Sequence, residues 1–98
     1  MIRVRLPSQL RILASIDDEL ELPSTCIKTV LDVLVQLETL YPTLDGTLWN
    51  KKLMARRPYV RIFACQEDLS TFPLDYVLPK DVLNGDEPIV FIGAIAGG

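Results

Sequence analysis

The sequence predicts an α+β fold, a mixed sheet with one main helix packed on one face. Three patterns lead there. Ile2-Arg3-Val4-Arg5-Leu6 alternates apolar and basic residues with period two. Val30, Leu31, Leu34, Leu37 and Tyr41 recur at the three- and four-residue spacing of a helix. Ile89-Val90-Phe91-Ile92 is an unbroken apolar run of the kind found in a central strand. At 98 residues the chain has room for one core and no second domain.

Each element follows from local chemistry. The first strand stops at Pro7 and turns Ile2, Val4 and Leu6 inward. Residues 8 to 16 read as a loop or irregular extension. Asp17-Asp18-Glu19 forms the turn before a second strand, Leu20-Glu21-Leu22, which Pro23 ends, so the two strands make a hairpin with a long connection. Thr29 is a helix N-cap with Asp32 at the capping-box position, and Pro42 stops the helix over 30–41. Residues 43 to 58 read as a connection with about one helical turn. A third strand runs from Tyr59 to Cys65, with Val60, Ile62 and Ala64 on one face and Tyr59, Arg61, Phe63 and Cys65 on the other. Gln66-Glu67-Asp68 is expected as its turn, followed by loop to residue 83 with a short edge strand near Leu69 and a single turn near Asp81. Asn84-Gly85-Asp86 then turns the chain into the last strand. Hairpin, helix and further strands in this order suit a β-grasp over residues 1–93, with 94–98 as a flexible, glycine-rich tail.

Composition narrows function. The chain has no histidine, which removes the commonest general base, the Ser-His and Cys-His nucleophile pairs and most zinc-ligand sets, so the protein is not expected to be an enzyme or to hold a metal. Paired acids at Asp17-Asp18 or Glu67-Asp68 are a weak enzyme reading, because adjacent acids on turns are usually solvated and point apart. A net charge of -3 disfavours nucleic acid. The charge is uneven, with Arg3, Arg5 and Arg11 in an acid-free first stretch and Lys51, Lys52, Arg56, Arg57 and Arg61 in a second. Such patches either greet an acidic partner protein or are simply solvated. Cys26 and Cys65 lack a CxxC spacing, and no secretory signal or membrane-length apolar run is present. A reducing, cytoplasmic setting with two buried, inert cysteines is expected, although a Cys26–Cys65 disulfide stays open.

Several segments together resemble the ubiquitin-like sulfur carrier proteins, the family that includes the small subunit of molybdopterin synthase, the thiamine-biosynthesis carrier and carriers for cysteine synthesis. They are Thr29-Val30 opening a helix that closes with Leu37-Glu38-Thr39-Leu40-Tyr41-Pro42; Val60-Arg61-Ile62-Phe63-Ala64 before an acidic turn; Asn84-Gly85-Asp86-Glu87 before the last strand; and the terminal Ala94-Ile95-Ala96-Gly97-Gly98. The match spans essentially the whole chain. Two departures stand out. Gly93 occupies a place where many relatives have proline, and the usual Asn of the turn after the third strand is here Cys65 or Gln66.

The resemblance implies chemistry at the chain end. An E1-like adenylyltransferase would transfer AMP from ATP to the Gly98 carboxylate, and sulfur from a persulfide donor protein would then replace AMP to give a thiocarboxylate. The carrier itself would hold no stable cofactor; ATP is used by the partner. Gly97 and Gly98 lack Cβ atoms and can thread a narrow, water-excluding site, and Ala96 keeps the approach slim. In the molybdopterin role a large synthase subunit would receive the tail. In the strand order of the family, alternation leaves Phe63, Val90 and Ile92 on the open face of the sheet beside Arg3, Arg5 and Arg61, an apolar centre with an arginine rim near the tail for the activating partner. The alternatives are a modifier joined to other proteins through Gly98, and a non-catalytic β-grasp interaction module.

Overall fold

The structure, a computed structural model, describes residues 1–93; the expected tail, with Ala96, Gly97 and Gly98, lies outside them. Strand β1 (Ile2–Arg5) is followed by helix α1 (Ser8–Ala14), β2 (Leu20–Leu22), helix α2 (Val30–Leu40), β3 (Trp49–Asn50), β4 (Ala55–Arg56), β5 (Val60–Ala64), β6 (Glu67–Asp68), helix α3 (Lys80–Leu83) and β7 (Ile89–Gly93). Five strands form one mixed sheet in the order β2-β1-β7-β5-β6, and β3 and β4 form a separate ribbon. The last strand is central. It runs parallel to β1, with Val4 opposite Ile89 and Arg5 opposite Val90, and antiparallel to β5 through five registered pairs from Val60–Gly93 to Ala64–Ile89.

Helix α2 covers one face of this sheet. Thr29 and Asp32 close a reciprocal capping box, the Asp32 amide donating to the Thr29 hydroxyl and the Thr29 amide to the Asp32 carboxylate. Such a cap contributes about 1 kcal/mol. Val30, Val33, Leu34 and Leu37 are buried together with Ile2, Val4, Leu20, Leu22, Val60, Ile62, Ile89 and Phe91 from the sheet. Removing a ring such as that of Phe91 would cost about 3–5 kcal/mol. That is a large part of the stability of a small domain, so core positions are unsuitable for functional tests.

Four local expectations are corrected. Residues 8–14 are helical and not irregular. Pro7 presets the entry, Leu10 is buried, and Ser15 in the left-handed region ends the turn, so a short helix forms on tertiary contact with little sequence periodicity to announce it. The connection 43–58 contains the β3–β4 ribbon after a 3-10 turn at Pro42–Leu44. The turn after β5 is only Cys65-Gln66, both at positive φ, and Glu67–Asp68 already pairs back onto Ala64 and Phe63. The cysteines are free and not buried, Cys26 being exposed on a 3-10 turn (Ser24–Cys26) and Cys65 half-exposed at the hairpin tip.

Gly85 belongs to the turn that starts β7. Its φ is +87°, and a Cβ there would stand 2.7 Å from the Met1 carbonyl oxygen, so only glycine lets this turn close onto the start of β1. Arg3 fastens the same turn, its Nη1 donating to the carbonyls of Gly85 and Asp86 at 3.2 Å.

Candidate functional site

Alternation along β1, β5 and β7 puts one set of side chains under α2 and the other on the open face. Arg3, Phe63 and Val90 are half-buried there, while Arg5, Arg61 and Ile92 are exposed. Val90 lies opposite both Arg5 and Phe63 and Ile92 opposite Arg61, so the expected residues do share one surface. They do not share one end of it. Arg3, Arg5, Phe63 and Val90 line a depression of about 480 Å³ that also reaches Cys65, Gln66 and the Asp86-Glu87-Pro88 turn. Val90 is three residues before Gly93, about 10 Å back along the strand. Only Arg61 and Ile92 stand at the end where β7 leaves the sheet.

The arginines are already engaged. Arg3 Nε donates to Glu19 Oε1 at 2.8 Å and Arg5 Nε to Glu19 Oε2 at 2.9 Å, so one carboxylate holds both guanidinium groups. These hydrogen bonds, first from Arg3 and then from Arg5, hold the Glu19 carboxyl below its usual range. Arg61 is ion-paired with Asp68. Asp68 is held down to about 2, chiefly by the hydroxyl and amide of Ser70 and further by Arg61. It is therefore an anion at neutral pH, with no proton to donate there. Burial, with Asp81, Glu87 and Glu67 nearby, pushes the Cys65 thiol up and away from nucleophilic use.

Sequence reasoning missed Glu19. Arg3 faces Glu21 in register, yet it bonds Glu19, one residue before β2. The usable signal was the two-residue spacing of Arg3 and Arg5 opposite an acid on the antiparallel neighbour, since diagonal pairs across strands lie within reach of long side chains.

The second basic stretch is largely spent on structure. Arg56 donates to the carbonyls of Ser70, Arg57, Pro58 and Val60, and Arg57 Nε to that of Gly46 at 2.9 Å. Lys51 bridges Asp45 at 2.8 Å and the buried Glu38 at 3.4 Å. Burial raises the Glu38 carboxyl despite Lys51 and the Gly46 amide that donates to it. Among the described residues Lys52 has no ion pair, no three His, Cys, Asp or Glu side chains are grouped to hold a metal ion, and no helix is long and apolar enough to cross a membrane.

No family model matches the chain, and no curated protein matches it significantly. Solved structures do. A chain of the BexX/CysO complex of Amycolatopsis orientalis superposes with a TM-score of 0.75 at 17% identity, covering 100% of both chains. SAMP1 of Haloferax volcanii superposes at 0.72 with 16% identity over 98% of this chain and 97% of its own. The small archaeal modifier protein 1 of Methanosarcina acetivorans gives 0.71 and 23% over 98% and 94%. The fold is the ubiquitin-like β-grasp. In this β-grasp the central position of β7 matters most, because the strand that delivers the chain end is hydrogen-bonded on both sides as far as Gly93 on the β5 side.

Proposed function

We propose that the protein is a sulfur carrier whose Gly98 carboxylate is adenylated by an E1-like enzyme and converted to a thiocarboxylate, which donates its sulfur in molybdopterin-type cofactor synthesis or cysteine synthesis. The observation that carries the reading is the placement of the terminal diglycine, Gly97 and Gly98, four and five residues after the central strand of a β-grasp. A rigidly held strand presents the tail from a defined point. The glycines then let the carboxylate enter a site narrow enough to keep water from the acyl-adenylate. AMP is transferred to the carboxylate with loss of pyrophosphate from ATP. The outer sulfur of a donor persulfide then attacks the acyl carbon and displaces AMP to give an acyl disulfide. A thiol cleaves its S–S bond, leaving the thiocarboxylate on the carrier and a disulfide on the donor. The carrier supplies the carboxyl group and its own surface; acid, base and nucleotide site belong to the partner. That CysO was crystallised in complex with BexX supports a mode of action through a protein partner. The open-face residues Arg61, Phe63, Val90 and Ile92, with Arg3 and Arg5 farther from Gly93, are the contacts proposed for it.

The similarity to small archaeal modifier proteins favours one second reading, attachment of Gly98 to lysines of other proteins. Incubation with E1-like enzymes, ATP and a persulfide donor, followed by intact-mass measurement, separates the two. Sulfur transfer adds about 16 Da, whereas conjugation leaves an isopeptide remnant on a target. Deleting Gly98 should abolish both products. A shortened chain that still gains sulfur would overturn the assignment of Gly98.

A further inference from the structure

The end of the molecule where β7 terminates is built from elements outside the open face. Because β1 and β7 are parallel, the residues that follow β1 lie at that end, and they lead into α1. Helix α1 packs against the Pro42–Leu44 turn. On the other side of β7, Val60 at the start of β5 faces Gly93, and the chain reaches Val60 from the ribbon through Arg57, Pro58 and Tyr59. Lys51 and Arg57 tie that ribbon to Asp45 and Gly46, just past the same Pro42–Leu44 turn. The exit is thus flanked by α1 beyond β1 and by the ribbon and Tyr59 beyond β5.

Both flanks expose apolar side chains without structural employment. On α1, Ile12 is 78% exposed and Leu13 is also exposed; at the ribbon tip, Leu53 is 73% exposed, with Met54 exposed beside it. Leu10 and Leu48, close by in sequence, are buried, so each element already has its core anchor and these residues are surplus to folding. Lys52 adds a positive charge with no ion pair among the described residues, on a chain whose net charge is -3.

We propose that these two flanks form a docking collar for the enzyme that activates Gly98, a protein whose channel mouth carries apolar surface and carboxylates facing Lys52. This rests on the carrier reading above. On that reading five residues separate Gly93 from the carboxylate, a reach of at most about 18 Å fully extended. A site that excludes water consumes most of it, so the enzyme surface must close on the exit itself. A standard interface covers about 800 Å² on each partner, a disc about 16 Å in radius. The molecule measures 34 × 28 × 24 Å, so an interface of that size centred on the exit spans most of one end of it and reaches past the sheet on both sides.

The test is steady-state adenylation by an E1-like enzyme, followed as pyrophosphate release, for the full chain and for Ile12→Asp, Leu53→Asp and Lys52→Glu, with melting curves to show that each variant is folded. Each substitution should raise the KM for the carrier about tenfold with kcat little changed, as loss of an interface contact requires. If the native chain is adenylated and all three folded variants keep its KM, the collar is overturned while the carrier reading stands. If the native chain is not adenylated at all, the carrier reading fails and the collar falls with it.

Discussion

Arg61 on β5 is ion-paired with Asp68 on β6, the strand that folds back beside it, on the open face of the sheet. The guanidinium that sequence pattern offers to a partner is therefore already partnered. Asp68 gains more from Ser70, whose amide donates to Oδ1 at 2.9 Å while its hydroxyl oxygen accepts the Ile62 amide at 2.9 Å. One charged group thus stitches β6 and the segment after it to β5.

A pH dependence of stability follows. The Asp68 carboxyl falls from an ordinary 3.8 to about 2 on folding, so the unfolded chain takes up its proton first as pH drops. Its stabilising contribution is complete above the unfolded value and is lost as pH falls through the folded one. Asp68→Asn should lower the melting temperature by a constant amount near neutrality, and the gap to the native protein should narrow between roughly pH 4 and 2. A gap that widens in acid would contradict the assignment.

The hairpin between β5 and β6 turns on Cys65 and Gln66, at φ +52° and +64°. Two-residue hairpins of this kind favour Asn-Gly, because a side chain in the left-handed region costs about 1–2 kcal/mol. Replacing the pair by Cys65→Asn and Gln66→Gly should stabilise the protein by about 0.5–1 kcal/mol after the added freedom of glycine in the unfolded chain is subtracted. In a domain of this size that is a rise of several degrees in melting temperature, readable by circular dichroism. Gln66→Val should move it the other way, and equal melting temperatures for all three chains would show that the turn is not strained.

The parts of this fold that were legible in the sequence are those where a repeating burial pattern meets a local stop signal. Ile2 to Leu6 before Pro7, the capped helix from Thr29 to Pro42 and the apolar run at Ile89 all combine the two. What escaped were elements held by single long-range contacts. Helix α1 has one buried residue, Leu10; the ribbon is two residues per strand and depends on Lys51, Arg56 and Arg57 reaching other segments. For those basic residues the sequence shows charge without showing which carbonyls will absorb it. The open face was legible through period-two alternation, but its division into a depression at Arg3 and Arg5 and an exit at Arg61 and Ile92 depends on strand register.

That division sets a final prediction about the open face. Phe63 is half-buried in the depression, whereas Ile92 is 51% exposed beside the exit, so the two probe different parts of any partner contact. Charge reversal at Arg61 would set a second anion against Asp68 and confuse destabilisation with lost docking; Arg61→Gln removes the charge and keeps a donor for Asp68. Paired with Phe63→Ala it should weaken activation by an E1-like enzyme, with the loss in kcat/KM carried by KM, and Ile92→Ser should do so more strongly, because Ile92 lies one residue before the end of β7. Thermal melts must first show each variant folded. Native kinetics in both folded variants would exclude the open face from the encounter, Arg61 and Ile92 beside the exit included, and leave docking to the flanks at α1 and the ribbon.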